Sequence, residues 1–451
     1  MLENLPNALT PTVESISPNQ DLLLFSGIIR LKGTTYQFEI EGEIYFKWLP
    51  EPRVRIKGVN ISDHSIMRSF EDLDVSDPSG QIHGTAMIYE WRRDNEEIIE
   101  GIINGFFIGD ITIPVEMIRF EVPNFKGFAG QTIQIQSGWM KGRLSFKDDK
   151  TTVIIDKLRK ADELHQKLKS QGGYCLMCTA ELRTSQSITG ADSRSILQKT
   201  GLFISFLNGR RTLPVYSTGM VEAKQVWKDY SFNLVAPYKD VHSWFVDRSQ
   251  LEIDRIWGKF SKLSEDEDTW DCIKTAFHWY LEANSNSGFV EGSIVMTHNA
   301  LELLYHWMIL EERRVVVEDE STRISSVNKI RLLLNTIGIP ENHILHFTAL
   351  KNYLEKETMT GPELFVRLRN SIVHPSRKKR QQLRKLPKDV SAQILQVGLW
   401  YLEMSLLFML GYNGMYSNRC SLTVDLVPWK ENQNDSEPKL NDQEPNPVGS
   451  V

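Results

Sequence analysis

The chain has little cysteine, no second paired-cysteine motif and no glycine-rich phosphate loop, and each shortage excludes a class of function. Four cysteines in 451 residues cannot staple a secreted scaffold and point to a reducing, cytoplasmic setting. Cys175 and Cys178 form a Cys-x-x-Cys pair, with Cys272 and Cys420 isolated. The plain reading is two reduced, partly buried thiols; a zinc site would need histidines or a second subunit to complete it. No nucleophile elbow and no internal repeat is present, and no cofactor motif is found. The opening Met-Leu-Glu-Asn-Leu-Pro is not a positively charged, apolar leader. One run, from Pro387 to about Gly411, approaches the length of a membrane span, but Gln396 and Glu403 interrupt it. It reads as an all-round apolar core helix that also packs against a partner subunit, and no membrane association is expected. The formal charge of −6 says little about partners, because the cations are locally clustered.

What is present divides into two textures. Before about Phe245, Tyr36, Phe38 and Ile40 alternate with Gln37, Glu39 and Glu41, and Val54 and Ile56 with Arg53, Arg55 and Lys57. This is the period of half-buried strands. Further runs at 98–107, 111–121, 132–136 and 153–155 continue it, which predicts an antiparallel, sandwich-like β region. Helices near 158–168 and 196–207 follow, so the region could divide near Lys157. His64, His83, His165 and His242 lack partners at diagnostic spacing and read as structural.

From residue 246 to 428 the pattern is helical. Ser264 and Glu267 have capping-box spacing ahead of Trp270, Ile273, Phe277 and Leu281. After a break at 284–288, helices are expected at 290–313, on the stripe Ile330, Leu333, Leu334 and Ile337, at 350–356, and at 362–374. Gly338 and Pro340 end the third. Leu422, Val424 and Leu426 alternate as a short strand able to close back on another sheet. From 429 to 451 the composition predicts a disordered acidic tail. The fold class is therefore α+β multidomain, with a β-rich N-terminal region and an all-α C-terminal bundle.

The candidate chemistry lies at the end of the 362–374 helix. Leu364, Phe365, Leu368 and Ile372 can face a core, leaving Arg367, Asn370 and His374 on a polar face where Asn370 can touch the imidazole from one turn below. Arg369 is about 140° from His374 around the helix, so the two can flank a cleft without stacking. Pro375 stops the helix. A histidine can act as acid or base near neutral pH, and a guanidinium has the fork that suits a phosphate. Arg377, Lys378, Lys379, Arg380, Arg384, Lys385 and Lys388 follow within fifteen residues. Such a strip binds phosphate backbones without regard to base sequence; the plain alternative is a solvated turn between helices.

The run Arg369-Asn370-Ser371-Ile372-Val373-His374, near the end of a helix in an all-helical domain, resembles the signature of the HEPN superfamily. The architecture is most similar to its Apea-like bacterial branch, and the likeness covers roughly residues 249–412. The resemblance implies a metal-independent endoribonuclease acting as a homodimer, with Arg369 and His374 catalytic and Asn370 a weaker candidate. It also implies 2′,3′-cyclic phosphate products and antiphage or toxin-type biology with tRNA or other cellular RNA as substrate. In that setting the N-terminal region would act as a sensor answering a phage-derived trigger. His298, Glu302 and His306 share one helix face; they read as polar residues lining a cleft, with a zinc site as the competing idea. The resemblance permits Glu302 to position a catalytic histidine. Competing functions are a non-catalytic HEPN dimerisation or RNA-binding module, and a ligand-binding regulator built on the β region.

Overall fold

The structure is a computed structural model that describes residues 5–14, 17–62, 71–93, 96–231, 234–246, 252–342 and 346–430. His64 and the predicted tail beyond Lys430 lie outside the described residues. The chain forms two compact units, Met1–Met296 and Thr297–Val451.

In the first unit, six antiparallel strands come first: β1 (Leu22–Lys32), β2 (Gln37–Lys47), β3 (Arg53–Asn60), β4 (Leu73–Ser76), β5 (Ile82–Arg93) and β6 (Glu97–Gly109). They pair in the order β3-β2-β1-β4-β5-β6, and β3 pairs with β6 as well, so the strands close into a ring. The alternation in β2 and β3 buries Phe38, Ile40, Ile44, Phe46, Val54 and Ile56 and turns the charged residues between them outward, as a period of two requires. Gly27, Gly42 and Gly58 stand opposite one another across β1, β2 and β3. A Cβ at Gly58 would sit 2.8 Å from the Glu41 carbonyl oxygen, so the strands approach here more closely than a side chain permits.

The second half of β6 leaves β3 and pairs with a further series: β7 (Val115–Pro123), β8 (Gln131–Ile135), β9 (Gly138–Lys147), β10 (Thr151–Lys157), β11 (Leu176–Ile188), β12 (Val215–Val221) and β13 (Lys224–Asp229), in the order β6-β13-β12-β7-β11-β10-β9-β8. The sheet runs unbroken past Lys157, which pairs with Cys178. The chain from Pro6 to Thr12 crosses this sheet. Gln134 exchanges backbone hydrogen bonds with it at the β8 edge. Asp156, held by Arg143 at 2.7 Å, accepts from the Leu9 N–H at 2.7 Å. Glu121 accepts from the Thr12 N–H at 2.7 Å.

Helices α1 (Ala161–Gln171), α2 (Gly190–Asn208), α3 (Ile253–Leu263) and α4 (Glu267–Asn284) complete this unit. The capping-box reading set the start of α4 two residues early: Ser264 caps the C-terminus of α3, and Asp266 caps α4 by accepting from Thr269 N–H. Trp257 of α3 packs on Phe146 of β9 and Phe203 of α2, with centroids about 5 Å apart, and Phe277 of α4 packs on Phe206. These aromatic contacts carry the unit well past position 245, where the sequence texture changes.

The second unit holds the later part of α5 (Phe289–Tyr305), continued by a π-helical segment His306–Glu312, then α6 (Glu318–Ser321), α7 (Ser326–Ile337), α8 (Thr348–Glu357), α9 (Gly361–Val373), α10 (Arg377–Lys385) and α11 (Lys388–Met409). Helix α11 is long and apolar enough to cross a membrane, but 78% of that window is buried. Its polar interruptions are satisfied internally. Glu403 accepts two hydrogen bonds from Arg419, one at 2.8 Å from Nε, while Gln396 takes a third at 2.9 Å. Among the described residues the strand around Val424, β15 (Thr423–Leu426), pairs only with β14 (Met415–Asn418). It forms a separate ribbon with Leu422 and Val424 exposed, so the alternation there does not mark a buried face.

Candidate functional site

Helix α9 is closed at both ends by its own residues. Thr360 and Glu363 form a reciprocal capping box, Pro362 occupies the first turn, and Arg331 of α7 binds Glu363 and Glu341 at 3.0–3.1 Å. At the other end His374 leaves helical geometry, with φ −120° and ψ 71°, while its N–H still donates to the Asn370 carbonyl at 3.1 Å. Leu364, Phe365 and Leu368 are buried as the spacing predicts; Ile372 is half-buried.

The polar residues sort differently from the expectation. Asn370 does not turn its side chain to the imidazole; its Oδ1 accepts from Arg369 Nη1 at 3.1 Å. The reason is proximity, since His374 has already left the helix. His374 is exposed, and among the described residues no hydrogen bond to its ring is found. Arg369 is half-buried, with its Nε buried and unpartnered. The result is an anchored cation beside an exposed acid–base group at one helix end.

The cationic strip is a helix rather than an irregular turn. Ser376 caps α10 by accepting from Lys379 N–H. Lys379 reaches back to the Asn370 carbonyl at 3.2 Å, and Lys379 and Leu383 are the only two residues of α10 that are not exposed. At about 100° per residue the remaining cations, Arg377, Lys378, Arg380, Arg384 and Lys385, spread over roughly 160° of the opposite surface. Among the described residues none of them pairs with a carboxylate. Like charges three and four apart weaken a helix, so this surface is built at a cost to local stability. The signal available in the sequence was Ser376 as a cap, with Pro375 before it and Pro387 after it.

Behind Arg369 lies a buried polar cluster. His298 of α5 is 0% exposed, stacks on Phe365 of α9 with centroids 6.3 Å apart, and lies 3.6 Å from Glu302. Burial, only partly opposed by Glu302 and reinforced by Arg369 and Lys329, holds its pKa down to about 4. Glu302 accepts from Ser326 Oγ of α7 at 3.0 Å. His306 is not part of this cluster; it begins the π-helical segment and meets Tyr305 edge-on. Among the described residues no group of three or more His, Cys, Asp or Glu side chains is placed to hold a metal ion. Cys175 and Cys178 are buried and not joined in a disulfide, and burial pushes the thiol of Cys178 far up, which leaves it unreactive.

The first unit carries a groove that sequence reading missed. It measures about 690 Å³ and is lined by Ile196, Lys199, Leu202, Arg211, Trp270 and Lys274, among others. These residues lie far apart in sequence on α2, α4 and a loop, so no local motif announces them.

Comparison with known proteins adds a family relation. Two YopA domain families match this chain. Residues 110–241 match the YopA central domain and residues 266–429 the YopA C-terminal domain. The chain is also similar to the SPbeta prophage-derived uncharacterized protein YopA of Bacillus subtilis (strain 168), 24% identical over 452 residues, covering 96% of this chain and all of the relative. No solved structure matches. The YopA C-terminal match spans the whole of α9 and α10, so the candidate site lies within it.

Proposed function

We propose that the second unit is a metal-independent endoribonuclease of HEPN type, working in the cytoplasm as a homodimer. The observation that carries this reading is the continuity of Arg369, the exposed His374 and a helix whose exposed cations have no carboxylate partner among the described residues. The strip would hold an RNA backbone by counterion release. Two copies of His374 brought together across a two-fold axis would supply the acid and the base. One takes the 2′-hydroxyl proton as that oxygen attacks phosphorus, and the other protonates the departing 5′-oxygen. Two copies of Arg369 would neutralise the pentacoordinate phosphate. The products carry a 2′,3′-cyclic phosphate and a 5′-hydroxyl. The prophage-derived relative is consistent with a role in conflict between phage and bacterium, with tRNA as a natural target and a phage product as trigger.

The test is incubation of the purified protein with total tRNA in EDTA, alone and with extract of phage-infected cells, beside His374→Ala and Arg369→Ala. The expected result is cleavage by the parent protein only, with RNA binding and dimer formation retained in both variants. Cleavage by either variant refutes the mechanism, and cleavage by a monomer refutes the shared site. Binding without cleavage under both conditions favours a non-catalytic RNA-binding module. The groove beside Trp270 favours one further reading, in which the first unit is a ligand-binding regulator.

A further inference from the structure

Three buried polar atoms of the second unit have no hydrogen-bond partner among the described residues. Both ring nitrogens of His298 lack a hydrogen-bond partner, and so does Nε of Arg369. A buried polar atom left unsatisfied is costly, and native structures carry few of them. Their placement is not accidental. Phe365 stacks on His298 with an interplanar angle of 25°, and Arg369 lies one helical turn beyond Phe365 on the same face of α9. The charged groups felt by the ring are Glu302, Arg369 and Lys329.

We infer that His298 is a positioning residue for Arg369: its buried imidazole supplies the lone pair that holds the Nε–H edge of the guanidinium through one bridging water. Glu302, 3.6 Å from Nδ1, favours the tautomer with its proton on Nδ1 and so leaves Nε2 as the acceptor. Asn370 holds one Nη1 hydrogen. With two of its five donors anchored, the guanidinium offers three to a phosphate in a fixed direction. The depressed basicity of His298 fits this role, since a protonated ring would have no lone pair to give. The role in cleavage rests on the nuclease reading; the contact with Arg369 does not.

Two variants and two measurements separate these. His298→Leu keeps the volume and removes the acceptor; His298→Gln restores a carbonyl acceptor. Arginine-selective NMR in the absence of RNA reads how fast the Arg369 Nε–H exchanges with water. It should be protected in the parent protein and in His298→Gln, and exposed in His298→Leu. In the cleavage assay, His298→Leu should bind tRNA within about threefold of the parent and turn over roughly 10- to 100-fold more slowly, with most of the rate recovered in His298→Gln. Equal Nε–H exchange in all three proteins overturns the inference, whatever RNA does, and so does full cleavage by a well-folded His298→Leu. Protection lost in His298→Leu while the parent protein cuts nothing upholds the contact and rejects the nuclease.

Discussion

Replacing Arg380 and Arg384 of α10 with glutamine removes two of the five cations that point away from the rest of the unit. Each phosphate neutralised on a single strand contributes about −0.7 to the slope of log K against log salt. Five contacts therefore give a slope of about −3.5, which weakens binding roughly 130-fold between about 50 and 200 mM salt. The double variant, with three cations left, should show a slope of about −2 and lose only about 20-fold over the same range. The double variant loses the four-apart repulsion between Arg380 and Arg384 but also the hydrogen bond from Arg380 Nη1 to the Pro375 carbonyl at 2.6 Å, so circular dichroism of both proteins separates weaker binding from loss of the helix. Fluorescence anisotropy of a labelled single-stranded RNA, titrated at four or five KCl concentrations, measures both slopes. A parent slope near zero, or a variant slope equal to the parent's, would show that α10 does not carry the phosphate contacts.

Two further predictions concern the scaffold. Burial pushes Glu121 up to about 7, against hydrogen bonds from Thr12 and Thr179 that favour its charged form. Because the folded protein holds this proton to higher pH than the unfolded chain, stability falls as pH rises from about 4.5 to about 7 and then levels, a loss of at most about 3 kcal/mol. Glu121→Gln should abolish that decline and melt higher than the parent at pH 8 but not at pH 4.5; parallel melting curves across this range would contradict the assignment. Arg419→Met removes the cationic partner of Glu403, itself 0% exposed, and should cost about 3–5 kcal/mol in denaturant unfolding. Adding Glu403→Leu should restore most of that loss, and a double variant no more stable than the single one would sink the argument.

Much of the architecture was legible without coordinates because it is written in short-range periodicity. Alternation in β2 and β3, the stripe of α7, the stop at Gly338 and the helix ending at His374 each depend on neighbours a few residues away, and a residue's period and caps are properties of the chain itself. The position of Arg369 and His374 at the end of one helix, with cations to follow, belongs to the same class. Only the tertiary structure decided what those side chains meet. The closure of β3 on β6, the attachment of α3 to β9 and α2 through Trp257, and that of α4 to α2 through Phe277 all follow from long-range packing. In the sequence His298 stood with Glu302 and His306 on one helix face, read as polar residues lining a cleft. Burial against Phe365 made it a neutral, unpartnered imidazole beside Arg369, because desolvation is set by everything packed around a group and not by its place in the chain.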